Sequence, residues 1–552
     1  MVQFFYQLNH IMQNRSNPAT QSYRDNPTRL SASCRSTSVL YCGFFRGPHP
    51  GGERLQQVLR NERKFLLNTL ILTATSLFLR TLGMGFLVYI SNKIGAEGMG
   101  IYQLLLSIYS FGVTLSLAGV SLATTRLVTE QLTRSSAQGA RRAVFRCFLY
   151  SLVGSLLAAC LLFLGAEPIT NIWFHGKISP LPLRLLALSL PFMAGAAAYS
   201  GYFTAVRRVT KGAAAQVLEQ LSHMGITVAL FTWIAPQGLE PACLALVIGG
   251  SLSEVCSFFC LLILYRLDSR HLIGSAPANG PALHQILSIC LPVGLSSLVR
   301  SAINTAKQVM VPLGLERYGL SCQTALAQYG LIRGMAMPIL QFPSALLASF
   351  SALLIPELAE DHIQGRRGHI RYIVTRIFRL SLLFSIGVCG ILLFYAQDIS
   401  LAIYQDPQVA HFLRILSPIV MIMYLDDIVD AMLKAMDKQS HLARINIAEA
   451  LLSLGLLALL LPSTGIYGYL LCLFFSEIFN GTLSVRCLQD TAGFSLQWKK
   501  WILGPALCMA CSCFTIRLLI PASFIPAILF TGLFYIFLLF LTGHLTREDL
   551  RI

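Results

Sequence analysis

From Phe65 to Thr542 the chain alternates apolar runs of roughly 18–28 residues with short polar breaks. That alternation constrains the fold more than any other feature. A helix rising about 1.5 Å per residue needs about twenty apolar residues to cross ~30 Å of hydrocarbon. There every backbone N–H and C=O must be paired within its own segment, which favours helices. The runs read as fourteen helices, at 65–91, 101–125, 145–166, 183–205, 213–235, 242–265, 285–313, 326–355, 378–396, 411–433, 445–462, 466–486, 501–520 and 522–542. Pro462-Ser-Thr-Gly465 and Pro521-Ala-Ser separate neighbouring runs by tight turns suited to hairpins. Of the 552 residues, 55% are hydrophobic and only 12% are charged, against about 25% charged in soluble domains. One water-soluble core cannot absorb so much apolar sequence. The expected class is an all-α polytopic membrane protein.

A net charge of +17 would suit a nucleic-acid partner if it were gathered on one surface, but its distribution is topological. Loops on alternate sides of the runs carry most of the 42 Lys and Arg, among them Arg134, Arg141, Arg142, Arg207, Arg208, Lys211, Arg366, Arg367, Lys434 and Lys438. The opposite loops hold only Lys93, Lys177, Arg184 and Arg317. By the positive-inside rule the Lys/Arg-rich side, with both chain ends, faces the cytoplasm of a cytoplasmic (plasma) membrane. No nucleic-acid partner is expected. The 15 cysteines are scattered through apolar segments without a CxxC pair, and histidines such as His223 and His411 are isolated. Packing, with no metal site, is the expectation for both.

Residues 1–59 are rich in Ser, Asn, Pro and Arg, and acidic only at Asp25 and Glu53. They lack the long apolar core and small-residue cleavage site of a secretory signal. They read as a disordered extension or as sequence upstream of the working start near Leu59-Arg-Asn-Glu-Arg-Lys64; an organellar transit peptide is the remaining alternative. Beyond them the first six runs recur in the next six at an offset of about 220–231 residues. Arg80 falls opposite Arg300, Glu130 near Glu357, Glu167 against Asp398, and Ser253-Glu254 over Ser476-Glu477. Six is even, so the halves run in the same direction, as parallel repeats. This divides the chain into a six-helix bundle at 60–270, a second at 271–490, and two further helices with a tail at 491–552. Two bundles facing one another across a cleft suit alternating-access transport.

The opening of the first bundle, TLILTATSLFLRTLGMGFLVYISNKIGAEGMGIYQLLLSIYSFGVTLSLAGVSLATTRLVTE (69–130), resembles the stage V sporulation protein B-like group of polysaccharide-biosynthesis flippases. That group belongs to the multidrug/oligosaccharidyl-lipid/polysaccharide (MOP) exporter superfamily. Arg80-Thr-Leu-Gly83 after a small-polar run, then IGAEGMGIYQL and GVSLATTRLV, carry the likeness. It extends weakly over 65–542 through the plan of two six-helix repeats and two added helices. The lipid II flippases are similar at greater distance, with a comparable start to the first helix. The resemblance implies a MATE/MOP-like fold, a cargo from peptidoglycan, spore-cortex or polysaccharide synthesis, and a cationic central cavity lined by the first-helix arginine, here Arg80.

Ionisable groups inside apolar runs cost roughly 2.5–3.5 kcal/mol each at mid-depth and mark function by default. Arg80, Arg300, Lys307 and Arg333 are the candidate cavity cations. Arg300 and Lys307 are seven residues apart, on roughly one helix face. A guanidinium grips phosphate oxygens as a planar fork and stays charged, so these groups with Arg80 suit a pyrophosphate. The plain alternative is pairing with a buried carboxylate or snorkelling to an interface, and snorkelling is preferred for Arg414 and Arg517 near helix ends. Glu219, Glu254, Glu477, Asp426 and Asp430 are the candidate cavity or ion-coupling acids. Glu254 and Glu477 are repeat mates that suit a shared structural role. Asp426 and Asp430 share a face at i, i+4 beside Asp427, which invites a cation, a shifted pKa or a basic partner such as Lys434.

No nucleophile–base pair, phosphate loop or metal cluster stands out, so an enzyme is not expected and no catalytic residue is assigned. The reading is a transporter, working as a monomer, that flips a polyprenyl-pyrophosphate-linked glycan by alternating access. Its partners are the anionic lipid-linked cargo and membrane lipids. No cofactor is expected beyond a coupling ion, H+ or Na+. The alternatives are an ion-coupled drug or metabolite exporter of the same superfamily, a membrane glycosyltransferase, and a non-transporting scaffold of cell-wall synthesis. The exporter favours cationic cargo and acid-lined cavities. The glycosyltransferase would find acids in its longer outer segments only at Glu167, Asp398 and Asp406.

Overall fold

The computed structural model describes residues 51–545, apart from 118, 135, 175–178, 235–237, 271, 273–282, 498 and 521–523, with side chains from residue 73 onward except at 174, 234, 350 and 352–354. The expected leader, through residue 50, and Lys177 lie outside the described residues. The chain divides into two compact units, Met1–Thr73 and Ala74–Ile552. In the first, residues 51–73 are helical.

All regular structure among the described residues is helical. The order is α1 (Gly51–Leu117), α2 (Val120–Thr133), α3 (Ala137–Phe174), α4 (Leu181–Ala205), α5 (Val209–Ile234), α6 (Leu239–Ser269) and α7 (Leu283–Arg317). Then come α8 (Cys322–Gly330), a π-helical turn at Leu331–Ala336, α9 (Met337–Gln341), α10 (Ser344–Gln364), α11 (Arg367–Phe394), α12 (Ala396–Tyr404), α13 (Pro407–Leu416) and α14 (Ile419–Ala435). The last are α15 (Gln439–Thr464), α16 (Ile466–Ala492), a second π-turn at Lys499–Leu503, α17 (Gly504–Leu519) and α18 (Phe524–Leu541).

Among the described residues, ten helical stretches are long and apolar enough to cross a membrane. The chain is a multi-pass membrane protein. Fourteen spans are not reached on these grounds, and the differences have local causes. The first two expected runs share the stretch Thr73–Thr133, which turns at Gly95 (φ 68, ψ −174), a conformation essentially reserved for glycine. The run at 213–235 is helical as α5, with Gln216, Glu219, Gln220 and His223 diluting its apolar character. The run at 326–355 is divided among α8, the π-turn, α9 and α10, with Pro338 and Pro343 at the joints. The run at 411–433 breaks at Ser417-Pro418, and its second part, α14, carries three aspartates.

On α3, Phe145, Leu149, Val153, Leu157, Leu161 and Leu164 recur at spacings of three and four and stay 49–70% exposed. Such a stripe would drive aggregation in water, whereas hydrocarbon solvates it. Inside the second unit the helices pack chiefly in two groups. One comprises α2–α6; the other joins α7, α10, α11 and α14–α16. Helices α17 and α18 pair with each other and lean on α11, while α2 and α3 touch α7 across the groups.

The tightest contact between the halves is backbone on backbone. A Cβ on Gly100 of α1 would lie 2.0 Å from the Leu326 carbonyl oxygen of α8, and one on Gly330 would lie 1.9 Å from the Ala96 carbonyl oxygen. Small residues permit this close helix approach in membranes. Asn92 Nδ2 donates to the Ile403 carbonyl at 3.0 Å, and Thr305 Oγ1 to the Ser107 carbonyl at 3.1 Å. The Gly100–Gly330 contact is at the Lys/Arg-poor ends of the helices.

Candidate functional site

A cluster of partly buried charge is built by α7, α14, α15 and α16. Lys307 of α7 donates from Nζ to Glu449 Oε1 at 3.2 Å and to Ser453 Oγ at 2.8 Å, both on α15. Ser476 of α16 donates to the same Glu449 oxygen. The Lys307 and Glu449 side chains are only 23% and 15% exposed. Glu477, one residue along α16, interacts electrostatically with Asp427, Glu449, Lys307 and Asp430. On α14, Asp426 Oδ2 accepts from Asn480 Nδ2 at 2.6 Å, and Asp430 Oδ2 accepts from Lys434 Nζ at 3.4 Å. Asp430 Oδ1 is buried with no hydrogen-bond partner among the described residues. So many carboxylates repel one another at short range unless cations offset them.

Two of the candidate arginines supply that offset. Arg300, two turns before Lys307 on α7, is exposed, and its charge acts on Asp430. Arg80 reaches across from the first half. It donates from Nη1 to Ser344 Oγ of α10 at 3.4 Å, and its charge acts on Asp427 and Tyr424 of α14. Cations and acids are therefore interleaved, and Lys307 is committed to Glu449. Arg333 stands apart, half-buried in the first π-turn, where its charge acts on Tyr329 and Tyr469. Near helix ends, Arg517 pairs with Asp398 at 2.6 Å and Arg414 donates to Gln397 at 3.2 Å.

The first half has an acid pair of its own. Glu219 of α5 and Glu254 of α6 line a cavity of about 140 Å³ with Tyr109, Ser189, Gln220 and His223. Ser257 Oγ donates to Glu219 Oε2 at 2.7 Å, and the two carboxylates interact electrostatically. His223, isolated in the sequence, sets its ring edge-on to Phe86 with centroids 5.0 Å apart. Its Nε2 is buried without a hydrogen-bond partner among the described residues.

Glu219 with Glu254, and Glu449 with Glu477, are one construction made twice, at offsets within the range of the sequence repeat. Each places a carboxylate of one helix against a carboxylate of the next. The lysine has no counterpart in the first half: the offset relating Arg80 to Arg300 sets Leu87 opposite Lys307. Glu449 is absent from the candidates read from the sequence, although the repeat offset from Glu219 points to it. Among the described residues no group of three His, Cys, Asp or Glu is placed to hold a metal ion.

A profile of the family described as polysaccharide biosynthesis protein matches residues 65–362, more than half of the chain. The chain belongs to that family. Among curated relatives it is similar to stage V sporulation protein B of Bacillus subtilis (strain 168), at 25% identity over 458 residues, covering 82% of this chain and 88% of that protein. It is similar to the lipid II flippase MurJ of the same organism at 21% identity over 326 residues, covering 55% of this chain and 59% of that protein. Among solved structures, the lipid II flippase MurJ in an inward closed conformation superposes with a TM-score of 0.62 at 14% identity, covering 87% of this chain and all (100%) of that one. An inward-facing multidrug resistance MATE family transporter of the MOP superfamily superposes with a TM-score of 0.55 at 14% identity, covering 76% and 96%. The fold is the one these transporters share.

Proposed function

We propose that the protein flips a polyprenyl-pyrophosphate-linked glycan, a precursor of peptidoglycan, spore cortex or another polysaccharide, across the cytoplasmic membrane. Family membership and the names of its relatives support that cargo class. The observation that carries the reading is Arg80, half-buried on α1 and held by Ser344 and the charge of Asp427 on the opposite half. A guanidinium so placed is pre-oriented, and phosphate oxygens match its fork better than a single carboxylate does. Arg300, exposed on α7 with its charge acting on Asp430, adds a second guanidinium. The aspartates serve as counter-ions to the arginines, and the pyrophosphate displaces them in that role. Lys307 and Arg333 contribute field, Lys307 through its link to Glu449.

Alternating access follows from two bundles, 60–270 and 271–490, rocking about their contacts, with 491–552 as an added segment and both termini cytoplasmic. Opening of the Gly100–Gly330 contact releases cargo on the Lys/Arg-poor side. Proton or Na+ coupling falls to Glu219, Glu254, Glu477, Asp426 and Asp430. The protein works as a monomer, without a cofactor and without making or breaking a covalent bond.

Reconstitution in proteoliposomes with defined polyprenyl-linked sugars tests this. Arg80→Ala and Arg300→Ala abolish flipping with expression intact; unchanged flipping in both rejects the assignment. A second reading, an ion-coupled exporter of cationic solutes, is favoured by the acids at Asp426, Asp427, Asp430, Glu449 and Glu477. It predicts efflux of cationic dyes that is lost in Asp430→Asn and kept in Arg80→Ala.

A further inference from the structure

A second cavity, of about 450 Å³, lies between the halves and away from the charged cluster. Phe111 of α1 and Trp173 of α3 close it from one side, and residues of α7 and α15, including Met310 and Leu461, from the other. The α7 residues that line it, from Ala302 to Arg317, recur at spacings of three and four. They form a face about a third of a turn away from Lys307 and Arg300.

The lining is apolar apart from the Trp173 indole, Thr305 and Arg317, and the Thr305 hydroxyl already donates to the Ser107 carbonyl. Water held there would lack the two to four polar partners that a buried water needs. Hydrocarbon suits the space, whose size is within the range of ~300–1,000 Å³ typical of ligand pockets. Arg317, in the last turn of α7, is exposed at one end, and Trp173 accompanies it near the end of α3. Arginine and tryptophan together are interfacial residues, placed where acyl chains give way to headgroups. A guanidinium at that level recognises a phosphate.

We propose that this cavity holds an acyl chain of an anionic phospholipid from the Lys/Arg-poor leaflet, with the lipid phosphate on Arg317. The site is separate from the cargo site and stands whether or not the cargo reading holds. Because its walls come from both halves, an occupied cavity favours the arrangement in which the halves meet at Gly100 and Gly330.

Trp173 reports on the site directly. The test uses the full chain with Trp233→Phe, Trp498→Phe and Trp501→Phe, in phosphatidylcholine nanodiscs containing lipids brominated on their acyl chains. Brominated phosphatidylglycerol is expected to quench Trp173 with saturation at a mole fraction roughly fivefold lower than brominated phosphatidylcholine, the preference one arginine near a surface supplies. Arg317→Gln removes that difference while quenching persists. Ala306→Phe, which narrows the cavity, lowers quenching by both lipids. Equal quenching by the two lipids in the Arg317 protein, or no change in Ala306→Phe, overturns the proposal. Displacement of brominated phosphatidylglycerol by stoichiometric polyprenyl phosphate overturns the assignment to a phospholipid and gives the groove to the carrier lipid.

Discussion

Lys307 and Glu449 hold each other at 3.2 Å across α7 and α15, with Ser453 and Ser476 completing their hydrogen bonds. A charge-assisted bond of this kind is worth about 1.5–3 kcal/mol, and removing one partner strands the other. Lys307→Met is therefore expected to lower stability by about 2 kcal/mol. Glu449→Gln costs less, because the amide still accepts from Lys307. The double variant recovers part of the Lys307→Met loss in a denaturation series in detergent; strictly additive losses contradict the coupling.

Gly330 and Gly100 admit no side chain while the halves touch, since a Cβ at either falls about 2 Å from a carbonyl oxygen of the other half. Gly330→Ala should part the helices on the Lys/Arg-poor side. Cys322, buried at the start of α8, reads this out. In a chain with its other cysteines replaced, labelling of Cys322 by an impermeant maleimide rises in Gly330→Ala. Unaltered labelling means that the contact does not gate this side.

Arg80→Lys separates charge from geometry. Lysine keeps the charge facing Asp427 but loses the planar fork. Flipping is expected to fall roughly tenfold, the worth of one charge-assisted hydrogen bond. Rates equal to those of the Arg80 protein would leave only a field effect at this position.

His544, beyond the last helix, has its pKa lowered by burial first, then by Arg379 and Lys500. A histidine held below its ordinary value favours the neutral form in the folded state. Its contribution is complete above the unfolded pKa of about 6.5 and is lost as pH falls toward the folded value. Thermal midpoints measured from about pH 8 to about pH 5 should decline less in His544→Gln. An identical pH profile would count against this linkage.

Hydropathy and charge asymmetry made the helical class, the membrane and most span positions legible. The departures arise in α5, where Gln216, Glu219, Gln220 and His223 dilute the run, and at Pro338, Pro343 and Ser417-Pro418, where backbone geometry interrupts a run that hydropathy averages over. The candidate site was half legible. Arg80, Arg300 and Lys307 stood out as costly charges and Asp427 and Asp430 as clustered acids, but Glu449, the partner of Lys307, did not announce itself. Glu449 sits in an apolar run no different in appearance from its neighbours, and His223 looked isolated because Glu254, Tyr109 and Ser189, which share its cavity, belong to other helices.

The sequence by itself determined that the chain crosses a membrane by helices and which charges are expensive enough to need a reason. These properties depend on local composition and on spacing along the chain. Only the tertiary structure decided which charges meet. Arg80 and Ser344 are 264 residues apart, and Lys307 and Glu449 are 142 apart. Apolar helices can pack in many registers of similar hydropathy, so the pairing of their few polar groups is settled by how the helices are stacked.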